Sequence, residues 1–162
     1  DKALDNFMKT IAQKNDDVNA LFALANVFAI RDNQSMAQGY YKRLITILDN
    51  ERSRYKILFP QVSPEHYDLV NMYMKTSNNL GVTLATMANR LGDNTKLSTS
   101  MIYLSEANRA YDALTRNPTT MKRLDGSNLA AQNMKYITSR VPDFEPAIYI
   151  DIKKTLNDKE SF

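Results

Sequence analysis

Apolar residues recur at helical spacing along most of this chain, and that spacing limits the folds it can adopt. Near the start, four of them lie at positions i, i+3, i+4 and i+7 of one helical face: Leu4, Phe7, Met8 and Ile11. The same spacing returns in four later stretches: 21–28, 37–48, 69–91 and 97–114. Only four glycines and five prolines occur in 162 residues, too few for the many turns of an all-β fold. We therefore predict an all-α protein.

Cap and turn signals divide the chain into separate helices. Residues 63–65 (Ser-Pro-Glu) combine an N-cap, a proline at the first helical position and an acid in the first turn. Gly92 is a stop signal, and Asn117 before a proline ends the next helix. A helix that starts at Ser35 is expected to run toward Leu58, because nothing interrupts it earlier. The pattern predicts about seven antiparallel helices that pack side by side.

The segment 143–156 carries conflicting signals. Ile148, Ile150 and Ile152 alternate as they would in a strand. Pro146 near a helix start, and the spacing of four between Ile148 and Ile152, favour a helix instead. We predict a helix, because the chain contains no second strand with which this segment could pair.

A repeat with a period of 34 residues runs through the first third of the chain. A small residue, an aromatic residue and an isoleucine recur at this distance: Ala3, Phe7 and Ile11, then Ala37, Tyr41 and Ile45. This pattern resembles the second helix of the tetratricopeptide repeat (TPR) family. Residues 18–51 resemble a whole TPR, and residues 64–118 resemble a TPR hairpin with longer helices. Asp49 and Leu44 depart from the family pattern, which has a proline and a small residue there.

The resemblance implies one domain, residues 1–156, in which antiparallel helical hairpins stack as a short right-handed array. Its expected parts are the second helix of a truncated repeat (1–16), a TPR hairpin (18–51), an extended TPR-like hairpin (64–118) and C-terminal capping helices (127–156). Residues 157–162 are expected to form a tail. The alternative is a generic four-helix bundle with extra helices.

The chain offers little catalytic or metal-binding chemistry. It contains no cysteine, and its single histidine, His66, lies in a helix's first turn, where a surface position is expected. No glycine-rich phosphate loop or serine nucleophile elbow occurs. The net charge of +3 comes from basic residues interleaved with acids, which does not predict a nucleic-acid surface. We expect no enzyme activity, cofactor, metal, nucleic acid or membrane span.

The candidate partner-binding residues follow from the TPR resemblance. Stacked hairpins expose a concave face made mainly by their first helices. The residues that match this face are Asn19, Phe22 and Asn26 on one hairpin and Lys75, Asn78 and Asn79 on the next. A groove lined with Asn suits an extended peptide, because each amide can both donate and accept. The alternative is that these Asn residues are ordinary polar surface.

Some TPR proteins clamp the terminal carboxylate of a peptide with Lys, Asn and Arg. Asn26 and Asn79 match two positions of that clamp, but Phe22 stands where the clamp has Lys. The resemblance therefore argues for an extended segment rather than a carboxylate terminus as the ligand.

The expected function is that of a scaffold or adaptor, a fragment of a larger bacterial protein that assembles a complex. The extended helices and the Phe-Glu-Pro-Ala-Ile-Tyr run at 144–149 also resemble TPR proteins of bacterial envelopes and periplasmic flagellar collars. This favours a periplasmic or envelope location over the cytoplasm. The segment 143–156 either caps the array or docks on a neighbouring subunit, so self-association fits as well.

The alternative function is that of a helical protein that binds a small ligand and partners a transport system. It requires a closed pocket with converging polar groups. Four tyrosines are the candidates for such a pocket: Tyr40, Tyr41, Tyr73 and Tyr111.

Overall fold

The computed structural model describes residues 2–140 and 145–150. Within these residues the chain forms seven α-helices and no strand, which confirms the all-α fold. The helices are α1 (Lys2–Gln13), α2 (Val18–Ile30), α3 (Gln34–Arg54), α4 (Tyr67–Leu91), α5 (Asn94–Arg116), α6 (Pro118–Met121) and α7 (Leu129–Thr138). A single 3-10 turn, Pro64–His66, precedes α4. The right-handed stacking of a TPR array stays a prediction.

Local side-chain caps fix where the helices begin. Four of them start with the same device, an N-cap oxygen that accepts the N–H three residues later: Asp17, Asn33, Asp93 and Asn128. Each cap satisfies one of the N–H groups that have no partner inside the helix. Gly92 ends α4 in the left-handed conformation, at φ 64°, as its position in the sequence predicts.

Helix α3 ends four residues earlier than the sequence pattern predicts. Lys56 takes a left-handed conformation at φ 54°. Its N–H donates to the carbonyl of Ser53, and the N–H of Ile57 donates to the carbonyl of Arg52. This pair of bonds is a Schellman motif, which closes a helix without a glycine. The turn buries Ile57 and leaves Leu58 exposed, so core burial, rather than a helix breaker, decides the boundary.

Each helix from α1 to α5 packs on the next one in the chain, and α4 lies at the centre. It contacts α3, α5 and α7. The largest core cluster joins α2, α3, α4 and α5 through fully buried side chains such as Leu21, Tyr41, Leu80 and Leu114. A smaller cluster joins α4, α5 and α7. Helix α4 also buries several polar residues, among them Asn78 and Asn79, and these lead to the candidate site.

Helices α4 and α5 approach most closely at Gly81. A Cβ atom at this position would lie 2.7 Å from Cγ of Leu104 and 3.1 Å from the carbonyl oxygen of Ser100. The Ser100 hydroxyl donates to the Gly81 carbonyl at 2.7 Å. Leu104 is fully buried, so its side chain has no free space into which it can move. The glycine is therefore required by helix contact and not by backbone conformation.

We expect Gly81→Ala to lower the free energy of unfolding by about 1–3 kcal/mol, because it overpacks the contact with Leu104. Gly39→Ala is the matched control, since it also lies inside a helix but has no heavy atom within 4 Å of its Cβ position. The control should raise stability by up to about 1 kcal/mol through helix propensity. Urea unfolding followed by circular dichroism measures both. Equal shifts of the same sign would contradict the close-contact argument.

Candidate functional site

Four asparagine side chains from three helices lie together in the interior. Asn26 comes from α2, Asn78 and Asn79 from α4, and Asn133 from α7. Asn26 is 2% exposed and the other three are fully buried. Burying an amide costs free energy unless its donor and acceptor atoms find partners. The partners of this Asn cluster therefore explain why it exists.

Asn133 pairs with the main chain of Ala147 through two hydrogen bonds. Its Nδ2 donates to the Ala147 carbonyl at 2.8 Å, and the Ala147 N–H donates to Oδ1 at 3.0 Å. Asn78 Nδ2 donates to the same carbonyl at 3.1 Å. One amide thus satisfies both main-chain groups of a single residue, as a neighbouring strand would.

Asn79 makes the same pair with Tyr149. Its Nδ2 donates to the Tyr149 carbonyl at 2.8 Å, and the Tyr149 N–H donates to Oδ1 at 2.7 Å. Asn26 Nδ2 approaches that carbonyl at 3.4 Å. The main-chain groups of alternate residues point to the same edge of an extended chain. Residues 145–150, which we call the groove segment, therefore lie along the Asn cluster with one edge paired to it.

Hydrogen bonds within the cluster hold the amides in position. Asn133 Nδ2 donates to Asn78 Oδ1 at 3.0 Å, and Asn79 Nδ2 donates to Asn26 Oδ1 at 3.0 Å. The Tyr41 hydroxyl also donates to Asn26 Oδ1. Burial raises the pKa of Tyr41 well above its ordinary value, so this hydroxyl keeps its proton. The amides are oriented by each other and by Tyr41.

The side chains of the groove segment pack on both core clusters. Ile148 lies against the cluster that contains Val82, Leu104 and Ala130. Tyr149 packs on the main core, and its hydroxyl accepts the Leu129 N–H at 3.0 Å and donates to the Ser127 carbonyl at 2.7 Å. Burial is the main cause that raises the pKa of Tyr149. The segment is thus bound through both main chain and side chains.

The prediction of capping helices over 127–156 is wrong for residues 145–150, which are extended and not helical. We predicted a helix because no second strand is present, yet Asn side chains supply the pairing that a strand would provide. Helix α7 covers only Leu129–Thr138 of this region. The other positions of the predicted helix 143–156, namely 143, 144 and 151–156, and the predicted tail 157–162, lie outside the described residues.

The structure brings three of the six predicted site residues together. Asn26, Asn78 and Asn79 all contact the groove segment. Phe22 instead lies in the core, 5% exposed, with its ring edge-on to Tyr41 at 6.5 Å between centroids.

The last two predicted residues are Lys75 and Asn19. Lys75 forms an ion pair with Asp125 at 3.7 Å. Asn19 is exposed near the start of α2. Three of the six predicted residues therefore donate hydrogen bonds to the groove segment.

The sequence reasoning missed Asn133. It lies in the stretch without a visible repeat, so no family position pointed to it. Its spacing carried a signal, since it follows Ala130 by three positions on the face of α7 that turns to the core. A polar residue at such a position needs a buried partner.

The four tyrosines considered for a small-ligand pocket belong to the main core cluster or pack against it: Tyr40, Tyr41, Tyr73 and Tyr111. Tyr40 stacks on Phe28 at 5.8 Å. Tyr41 belongs to the Asn cluster, and the Tyr73 hydroxyl donates to Glu106 at 3.2 Å. Tyr73 also lies 4.3 Å from the Arg52 guanidinium. Tyr40, Tyr41 and Tyr73 thus each contact other protein side chains.

A metal site would need clustered ligand side chains in the described residues, and a membrane span would need a long apolar helix. No group of three or more His, Cys, Asp or Glu side chains there could hold a metal ion. No helix there is long and apolar enough to cross a bilayer. His66 is partly exposed, and its ring lies on Tyr55 at 5.1 Å.

Comparison with known proteins gives no relative for this chain. No protein family model, no curated protein and no solved structure matches it. The TPR resemblance therefore rests on the sequence pattern alone: the 34-residue recurrence and the residue classes of 18–51 and 64–118.

The alternate pairing of the groove segment predicts an alternate pattern of hydrogen exchange. We expect the Ala147 and Tyr149 amides to exchange at least about tenfold more slowly than the Ile148 amide, because only the first two donate to Asn side chains. Residue-resolved exchange by NMR measures this. Asn79→Leu should remove the protection of Tyr149 first. Equal exchange at all three amides would contradict the extended pairing.

Proposed function

We propose that this chain is a protein-interaction module of the TPR type that holds an extended segment of another protein in its Asn groove. The observation that carries the proposal is the double pairing of Asn133 with Ala147 and of Asn79 with Tyr149. Amides arranged this way recognise a main chain, because they engage the N–H and C=O groups that every residue except proline has.

The burial of four amides supports a recognition role over a purely structural one. A segment that only covers the core could be held by apolar contacts, which need no buried polar partner. The Asn133 and Asn79 amides instead direct both a donor and an acceptor to the main chain of the segment. We therefore interpret the groove segment as an internal occupant of a site built for extended chains.

The groove segment is held weakly enough for another segment to replace it. Each main-chain bond contributes about 1 kcal/mol net, so four of them and the partly buried Ile148 side chain hold the segment by a few kcal/mol. Only residues 139–144 link α7 to the segment, so a short tether gives the segment an effective concentration of about millimolar order. A partner segment must bind more tightly than the tethered segment at this effective concentration. It can do so by adding contacts beyond the groove.

The wider parts of the proposal rest on the sequence alone. We propose that the module assembles a multiprotein complex as part of a larger bacterial protein, without catalysing a reaction. A place in the cell envelope or a flagellar collar follows from the resemblance at 144–149. The small-ligand alternative rests on the sequence alone as well.

A groove freed of its own segment should select peptides in trans. We expect the full chain with Ala147→Pro and Tyr149→Ala to enrich peptides from a displayed random library, because the first change removes the N–H that Asn133 accepts and the second removes the anchored ring. Titration calorimetry of the enriched peptides measures their affinity.

The control is the same open chain with Asn79→Leu, which keeps the side-chain size but loses both main-chain bonds. Enriched peptides should bind this control at least about tenfold more weakly. Asn133→Leu is the second variant, used if the first does not give a native circular dichroism spectrum. No enrichment, or enrichment that neither Asn substitution affects, would refute the proposed function.

A further inference from the structure

The Tyr149 hydroxyl sits in a small polar pocket at the start of α7. It donates to the Ser127 carbonyl at 2.7 Å and accepts the Leu129 N–H at 3.0 Å. Leu129 is the first residue of α7, so its N–H has no partner inside the helix. A phenol uses one proton and one lone pair here, in addition to the 3.0 Å bond that the Leu129 N–H makes to the Ser127 carbonyl. We call these two groups, with Gly126 beside the ring, the tyrosine pocket.

The tyrosine pocket is held in place independently of Tyr149. Asn128 lies between the two groups and caps α7 by accepting the Ala131 N–H at 3.1 Å. Its Nδ2 donates to Asn108 Oδ1 of α5 at 2.7 Å. Cβ at Gly126 would lie 3.9 Å from the Tyr149 ring, so the turn borders the ring without a clash. A pocket fixed to α5 is ready for a ring from another chain.

The tyrosine pocket also sets the register of a segment in the groove, which main-chain pairing alone does not fix. Asn133 and Asn79 pair with alternate residues, and a shift of two residues along an extended chain would preserve that pattern. Tyr149 is bound at its N–H, its carbonyl and its hydroxyl at once. The hydroxyl therefore fixes which residue of a segment lies opposite Asn79.

The position before the tyrosine has its own requirement. Ile148 packs on an apolar cluster formed by α4, α5 and α7. A polar side chain there would lose its hydration without gaining a described partner. An aliphatic residue followed by tyrosine is the pair that the groove accommodates in this structure.

We infer, on the basis of the proposed function, that the partner is an extended segment of a different protein that carries an aliphatic residue followed by tyrosine, with the tyrosine hydroxyl bound between Ser127 and Leu129. Phenylalanine loses both hydrogen bonds of the hydroxyl, and only the 3.0 Å bond between the Leu129 N–H and the Ser127 carbonyl remains there. Phosphotyrosine has no proton on the ester oxygen to donate to the Ser127 carbonyl. The recognised residue is thus unmodified tyrosine.

A different protein is the source, rather than a second copy. The groove segment of each copy already lies in the groove of its own chain. The short link to α7 favours that internal binding over binding between copies. To bind a second copy, a groove segment would have to leave its own groove, and it would gain only the same contacts in the other groove.

The test uses the open chain with Ala147→Pro and Tyr149→Ala and a fluorescent peptide with the sequence Glu-Pro-Ala-Ile-Tyr-Ile of residues 145–150. Three altered peptides accompany it. One has Phe in place of Tyr, one is N-methylated at Tyr, and one is N-methylated at the Ile that corresponds to Ile148. We expect the parent to bind, with affinity about tenfold lower for the Phe and the N-methyl-Tyr peptides. The N-methyl-Ile peptide should bind like the parent, because that N–H has no partner among the described residues. Fluorescence anisotropy measures all four.

The outcomes separate this inference from the proposed function. If the Phe peptide binds like the parent while N-methyl-Tyr weakens binding, the tyrosine pocket is refuted and main-chain recognition stands. If the library selects peptides without tyrosine, the same conclusion holds. If no peptide binds, both proposals fail.

Ala147→Pro alone serves as the open chain if the double variant does not fold. The loss of protection at the Tyr149 amide shows that its groove is free. A wild-type dimer in sedimentation that Tyr149→Ala abolishes would show that a second copy is the ligand, and it would overturn the assignment to a different protein.

Discussion

The pairing between asparagine amides and an extended main chain is the interaction on which the rest of this structure depends. Asn133 and Asn79 each satisfy both main-chain groups of one residue, while Asn78 and Asn26 support them from behind. If the groove segment leaves, its four main-chain bonds to Asn133 and Asn79 are exchanged for bonds to water, and each contributes about 1 kcal/mol net. A bound segment, from this chain or from another, therefore stabilises the groove by a few kcal/mol.

This pairing explains the arrangement of the helices around the groove. The amides come from α2, α4 and α7, so these three helices must hold fixed positions relative to each other. The contact at Gly81 brings α5 against α4, and Asn108 on α5 holds the cap of α7. Close helix contact at one glycine is thus linked, through α5, to the position of Asn133 and of the tyrosine pocket.

Parts of the groove were predictable from the sequence and parts were not. Asn26, Asn78 and Asn79 were named because the TPR resemblance of the two hairpins placed them on an inner face, although the family itself is untested. Asn133 was missed, because its stretch shows no recurrence. Phe22 was assigned to the groove surface, yet it packs against Tyr41 in the core. Positions on a helix face follow from spacing, whereas the depth of each side chain depends on which neighbour covers it.

The sequence by itself determined the helices. Apolar spacing, N-cap residues and Gly92 act within one or two turns, so their effect is written in neighbouring positions. Tertiary structure alone decided the conformation of residues 145–150. Their partners, Asn133 and Asn79, lie 14 and 70 positions away in the chain. A segment whose hydrogen bonds come from such distances takes its shape from the surface on which it lies, because its own residues can satisfy those groups equally well in a helix.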